Sequence, residues 1–337
     1  MLGARQFQTR LSLGVEGARG NSASGREGRY ASQLCEHGAF LSDKRIDFMP
    51  TRPALTSIVQ QDGLNFLLTN RIPRRFATRW MGWFSRIENP VVCAVSLRVW
   101  RLFTDLDLGD ARETRFRSLH HCFTRRLKDG ARPIDSDPAI LVSPCDAIVG
   151  ASGAIAGTKL FQIKDMPYAL EDLFADADHS ESFRDGQYVT LRLTSAMYHR
   201  FHAPHDCRVR SVTHFFGDTW NVNPVTLRRV ARLFCKNERA VIRTTLSAGG
   251  HPITLVAVAA ILVAGIRLTF TNLDPNARMA PRRDYACDAS LQKGEEMGWF
   301  EHGSTILVFA PKGFRLCAGV REGAMIRAGQ QLMLLPE

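Results

Sequence analysis

No stretch of this sequence is apolar for long enough to cross a bilayer as a helix. The longest such run, residues 253–266, covers 14 positions, whereas a spanning helix needs about 20. Its Val/Ile/Ala texture suits a buried strand instead. The N-terminal residues lack the continuous apolar core of a secretory signal. The eight cysteines lie scattered without a close pair, so neither a zinc or redox motif nor a disulfide framework is expected, and free thiols in a reducing compartment are. Internal repeats and low-complexity tracts are also missing. Acidic residues are in deficit: 33 against 44 basic ones, for a net charge of +11. Such a surplus favours an anionic partner, either nucleic acid or an acidic membrane surface, and composition does not choose between them. The length of 337 residues allows one large domain or two modest ones.

Three segments differ in texture. Residues 1–48, rich in Gly, Ser and Arg without a sustained period, read as a disordered and dispensable leader, or as translation from too early a start with Met49 as the alternative. Glu16, Glu27 and Glu36 interrupt the basic character that an organellar targeting peptide would need. Residues 49–110 read as amphipathic helices. Ile72, Phe76, Trp80, Trp83 and Phe84 fall within a sector of roughly 120° at about 100° per residue, with Arg71, Arg74, Arg75, Arg79 and Arg86 on the remaining side. Aromatic residues set against arginines suit a helix lying in a lipid interface better than one packed only on its own domain.

From residue 111 to 337 short Val/Ile/Leu runs alternate with Gly, Pro and Asp turns, predicting strands near 139–142, 188–193, 209–213, 240–245, 253–264, 305–309 and 331–335, and a helix near 227–234. The expected fold is α+β: N-terminal amphipathic helices, then a β-rich catalytic domain with a barrel-sandwich-like C-terminal part. That last expectation rests on the segment 322–332, which resembles the turn-rich signature of biotinyl and lipoyl carriers. No modifiable lysine stands at the corresponding hairpin, so a carrier role is not expected.

Three polar clusters sit beside predicted strands, where a rigid sheet can present catalytic side chains. They are Ser143-Pro144-Cys145-Asp146, then Tyr198-His199-Arg200-Phe201-His202-Ala203-Pro204, then His302-Gly303-Ser304-Thr305. Singly each has an ordinary explanation. An Asp after Pro forms turns, histidines three apart are often surface residues, and Gly-Ser-Thr is unspecific. A scattered Ser/His/Asp set is weak support for a triad.

Their order and flanks together resemble the bacterial-type phosphatidylserine decarboxylase proenzymes, over residues 64–311. The similarity runs through Arg132-Pro133-Ile134-Asp135, Val142-Ser143-Pro144-Cys145-Asp146, Tyr168-Ala169-Leu170-Glu171 and Tyr198-His199-Arg200-Phe201-His202. It continues in Val222-Asn223-Pro224, Leu233-Phe234-Cys235-Lys236-Asn237-Glu238-Arg239, Lys293-Gly294-Glu295-Glu296-Met297-Gly298, His302-Gly303-Ser304-Thr305 and Phe309-Ala310-Pro311. Two departures stand out. His302 occupies a usually aliphatic position, and Cys145-Asp146-Ala147 replaces a pattern of small residue, Asp and Gly.

The resemblance implies self-cleavage between Gly303 and Ser304. The Ser304 hydroxyl attacks the Gly303 carbonyl to give an ester. Elimination and hydrolysis then release ammonia and leave a pyruvoyl group at residue 304. It further implies that His202, oriented by Asp146, is the base for Ser304 and that His199 assists the later decarboxylation; the residues alone would allow either histidine in either role. A decarboxylase acting on an amino acid needs a carbonyl to hold the electrons of the broken bond, and the pyruvoyl group supplies it through a Schiff base with the substrate amine. No metal is implied. The partners implied are phosphatidylserine in a membrane surface and a heterodimer of chains 1–303 and 304–337, with a homo-oligomer compatible. The expected location is peripheral, at the cytoplasmic face of the cell membrane if bacterial, ahead of the mitochondrial inner membrane. The alternative is a serine hydrolase using Ser304, His202 and Asp146 in an intact chain. Nucleic-acid binding is not expected, because no aromatic-basic strand motif is present.

Overall fold

The computed structural model describes residues 80–161, 167–260, 265–273, 281–301 and 304–336. The expected leader, and the expected helical positions up to residue 79, lie outside the described residues. What is described is an α+β arrangement dominated by antiparallel sheet.

The apolar runs become the middle of an eight-stranded sheet. From edge to edge its strands are Arg282–Leu291, Cys207–Phe215, Arg239–Leu246, Pro252–Ala259, Ser304–Ala310, Gln187–Leu193, Ala147–Ala154 and Met325–Ile326, every neighbour antiparallel. Side chains alternate between the two faces of a strand, and here both faces are covered. Ile306, Val308, Leu255, Ala257, Val189 and Leu191 enter one buried cluster. Leu307, Phe309, Val256, Val258, Val241 and Tyr188 enter the other, beneath Phe174, Phe183 and Phe234. That is why the 306–309 run is apolar at every position rather than at every second one. Each large side chain so buried contributes roughly 1.5–3 kcal/mol.

Beside the large sheet are a two-stranded one, Lys159–Phe161 with Pro167–Ala169, and two of three strands. In one three-stranded sheet, Glu296–Phe300 lies between Ile266–Leu268 and Arg200–His202. In the other, Gln331–Leu334 lies between Ile140–Val142 and Arg315–Leu316. The C-terminal segment is therefore shared, since Met325–Ile326 joins the edge of the main sheet. No strand order among the described residues closes on itself.

Helices are few and short apart from Pro90–Phe103. Asn89 caps that helix, its Oδ1 accepting from the amides of Val91 and Val92 at 2.9 and 3.1 Å, and Pro90 is preset for the first turn. It buries Cys93 and leaves Val91, Val95, Val99, Leu102 and Phe103 exposed. The helix expected near 227–234 is two helices, Pro224–Arg229 and Leu233–Lys236. Arg232, at φ 53°, stands between them in a left-handed conformation that no α-helix carries through.

The small sheet carrying His202 depends on Gly298. A Cβ there would run into the backbone oxygen of Arg267 on one side and the Phe201 ring on the other. Gly298→Ala should therefore destabilise the protein by about 1–3 kcal/mol, read as a lower midpoint of urea unfolding.

Candidate functional site

Ser304 is the first residue of its strand, and the pairing fixes it on both sides: Leu193 lies opposite on one neighbour and Ala259 on the other. Its side chain is fully buried, and its Oγ has no hydrogen-bond partner among the described residues. It lines a cavity of about 740 Å³ whose walls include Phe84, Val95, Val99, Trp100, Phe123 and Val222. A nearly apolar chamber of that size suits an apolar ligand with a few polar groups. Gly303 and His302 lie outside the described residues, but the chain leading to them is anchored. Buried Glu301 accepts from Arg86 Nη2 at 2.9 Å and from Arg267 Nε at 3.3 Å.

Asp146 and His202 are brought to the same region without a hydrogen bond between them. The Asp146 carboxylate takes the fork of Arg132, from Nε at 2.9 and 3.0 Å and from Nη2 at 2.6 Å, and also accepts from the Ala328 amide at 2.9 Å. The His202 ring is held by others. Its Nδ1 lies 2.9 Å from the Gly294 carbonyl oxygen, and its Nε2 lies 3.1 Å from the Tyr198 hydroxyl. A carbonyl only accepts, so Nδ1 carries the proton and Nε2 is left to accept from Tyr198. Orienting this ring, the task expected of Asp146, thus falls to Gly294 and Tyr198. Burial lowers the His202 pKa, partly offset by the Gly294 bond and by the charges of Glu296 and Asp146; the neutral ring is favoured. His202, Tyr198 and Arg132 face a second cavity, of about 320 Å³.

His199 immediately precedes the strand Arg200–His202. It is fully buried, its Nδ1 lies 2.9 Å from the Met197 carbonyl oxygen, and its ring packs on Phe123 at 3.9 Å between centroids. Phe123 lines the Ser304 cavity. The two histidines thus have different surroundings: His202 faces the smaller cavity, and His199 packs on a wall residue of the larger one.

Backbone bonds tie the loop before Asp146 to the His202 strand and to the 329–330 turn. The His202 amide donates to the Pro144 carbonyl at 2.8 Å, the Ser143 amide to Gln330 at 2.7 Å, and the Gly329 amide to Ser143 at 2.9 Å. Sequence reasoning passed over Arg132, Tyr198 and Gly294 as site residues, although each stands within a motif quoted above. It also passed over Arg192, a cation inside the apolar strand Gln187–Leu193, where a charge at a strand's interior is itself a signal.

A family model for phosphatidylserine decarboxylase matches residues 119–334. Among curated proteins, the phosphatidylserine decarboxylase proenzyme of Erwinia tasmaniensis is 33% identical over 285 residues, covering 80% of this chain and 92% of that protein. The protein of the same name from Vibrio cholerae is 34% identical over 270 residues, covering 77% and 94%. That from Methylococcus capsulatus is 31% identical over 269 residues, covering 77% and 93%.

The Arg132–Asp146 pair is mostly buried, with side chains 13% and 10% exposed, whereas the second acid on Arg132, Asp110, is 47% exposed. Arg132→Met strands a buried carboxylate and should cost about 3–5 kcal/mol. Asp110→Ala should cost less than about 1 kcal/mol. Urea unfolding of the two variants measures the contrast.

Proposed function

This chain belongs to the phosphatidylserine decarboxylase proenzyme family and decarboxylates phosphatidylserine, and we propose that it does so with a pyruvoyl group made from Ser304 by self-cleavage at the Gly303–Ser304 bond. The observation that carries this reading is the setting of Ser304: a buried hydroxyl without a hydrogen bond among the described residues, at the start of a central strand, facing a large apolar cavity. Residue 304 also suits the group as a location, because strands on both sides fix it and the chamber before it admits a lipid.

Four residues divide the work. His202 is taken as the base for the Ser304 hydroxyl on the family resemblance, and a neutral ring with its proton on Nδ1 leaves Nε2 as the accepting atom; because the ring faces the smaller cavity with Nε2 on Tyr198, it must leave Tyr198 and come to Ser304 for that transfer. Asp146 acts on His202 by charge rather than by contact, favouring the ring once it has taken the proton. Gly303 supplies the attacked carbonyl without a side chain in the way. When formed, the pyruvoyl group supplies a carbonyl that takes up the electrons left as carbon dioxide departs. His199, behind Phe123 on the side of the larger cavity, is placed to manage the proton that replaces the carboxylate. The product is phosphatidylethanolamine.

The lipid reaches this chamber from a membrane surface. Trp80, Trp83, Val91, Leu102 and Phe103 are exposed in the segments that supply Met81, Phe84 and Trp100 to the cavity wall, and Val95 and Val99 are both exposed and part of its lining. An apolar face continuous with the cavity, flanked by Arg98 and Arg101, suits peripheral attachment to anionic lipid. Among the described residues no helix is long and apolar enough to cross a membrane. The mature enzyme is then a heterodimer of chains 1–303 and 304–337. The short chain stays bound because it supplies a central strand and the 328–330 turn beneath Asp146.

Electrophoresis should show two chains for the wild type and one for Ser304→Ala, which should also be inactive. The short chain should weigh roughly 17 Da less than its encoded peptide, the mass of lost ammonia, and should resist Edman degradation. His202→Ala should accumulate uncut chain, whereas His199→Ala should cut but turn over poorly; identical phenotypes would defeat the division of roles. An active preparation made only of intact chain would favour the serine hydrolase.

Because burial lowers the His202 pKa beneath the ordinary 6.5, the neutral base persists as pH falls through that value. The rate of self-cleavage should therefore reach half its plateau below pH 6.5, and a midpoint above 6.5 would contradict this.

A further inference from the structure

Arg192 stands apart from the other buried arginines. Arg132 and Arg200 are paired with Asp146 and Glu296, Arg243 with Asp176, and Arg125 and Arg239 spend their donors on backbone carbonyls. The Arg192 side chain makes no hydrogen bond or salt bridge among the described residues, and its Nε is buried without a partner. The one acid whose charge it feels is Glu322, which is exposed and does not touch it. The stem is held: a Cβ added at Gly150 would touch Arg192 Cδ at 3.4 Å. A half-buried guanidinium without an acid is costly unless something else supplies the negative charge.

Its position says where that charge comes from. Arg192 lines the same 740 Å³ cavity as Ser304. In the sheet it lies directly opposite Thr305, one residue beyond Ser304, and the Thr305 Oγ1 is also buried without a hydrogen bond. An otherwise apolar chamber thus carries one unmatched cation next to the residue assigned to the chemistry. That combination fits an anionic lipid, with its acyl chains on the apolar wall and an anionic group on the guanidinium.

We propose that Arg192 is the headgroup-binding residue and that it holds the phosphodiester of phosphatidylserine rather than its carboxylate. The choice follows from the reaction. The carboxylate's charge disperses as carbon dioxide leaves, so a guanidinium bound to it would stabilise the ground state more than the transition state and slow the step. The phosphodiester is unchanged throughout, and holding it fixes the amine and the breaking bond relative to residue 304 without that penalty. Arg192 is then a binding and positioning residue, and its loss raises KM far more than it lowers kcat.

This rests on Ser304 as the reacting residue, so binding is best read in full-length Ser304→Ala protein, where the outcome does not depend on cleavage. The probes are dihexanoyl phosphatidylserine and dihexanoyl phosphatidylethanolamine, which share the phosphodiester and differ in the carboxylate. Adding Arg192→Gln should weaken both by the same factor, about tenfold or more. In the Ser304-containing protein, Arg192→Gln should still cut and should raise KM by a similar factor. Weakening of phosphatidylserine alone would put the guanidinium on the carboxylate and overturn the proposal, as would unchanged binding of both lipids. Arg192→Lys, which keeps the charge, carries the test if the glutamine variant does not fold. It should weaken both lipids by a smaller common factor, and either no change or a change for phosphatidylserine alone is again contrary.

Discussion

Strand Ser304–Ala310 is hydrogen-bonded along both edges, to Gln187–Leu193 on one side and to Pro252–Ala259 on the other, and all seven of its residues are buried. Nearly every other feature of the site takes its position from that pairing. It fixes residue 304 to the ends of two neighbouring strands and opens it to the larger cavity. It also commits the chain beyond residue 303 to the interior, so that a cut before Ser304 leaves the backbone bonds and apolar contacts of this strand in place. A hydrophobic interior of this kind holds the pieces of a divided chain as firmly as those of a continuous one, because burial is indifferent to covalent connection.

The polar groups around the site are organised in the opposite way, by a few strong and directional bonds. Arg132 grips Asp146, the Ala328 amide caps the same carboxylate, and the Pro144 carbonyl takes the His202 amide. These bonds join residues distant in sequence, and each leaves a buried charge or amide exposed to loss if its partner is removed. They explain why the Asp146 loop, the His202 strand and the 328–330 turn meet at one place. They also keep apart two groups that a simple triad would join: the histidine is held by neutral groups, and the carboxylate by Arg132 and the Ala328 amide.

The sequence made the interior legible and the edges obscure. The runs at 188–193, 240–245 and 305–309 stood out because both faces of those strands are buried. Strand Arg282–Leu291 did not, since it lies at the sheet's edge with mostly exposed or half-exposed side chains and polar residues throughout. Such charges discourage edge-to-edge association, and they also erase the apolar signal. The family motifs brought Ser304, His199 and His202 into view, with Asp146 beside them. They could not show which neighbour holds which, because the Gly294 carbonyl and the Tyr198 hydroxyl meet His202 only after the sheets have formed. Arg192 was missed for a related reason. A lone arginine in a strand reads as surface until the cavity beside it is seen.

Fixing residue 304 in an interior strand has a consequence for the working life of the enzyme. A dissociable cofactor that is spoiled by a side reaction leaves, and a fresh one takes its place. The group proposed at residue 304 would have no such spare, because replacing it would require the central sheet to come apart. Pairing on both sides of residue 304 thus ties the life of such a group to that of the folded chain.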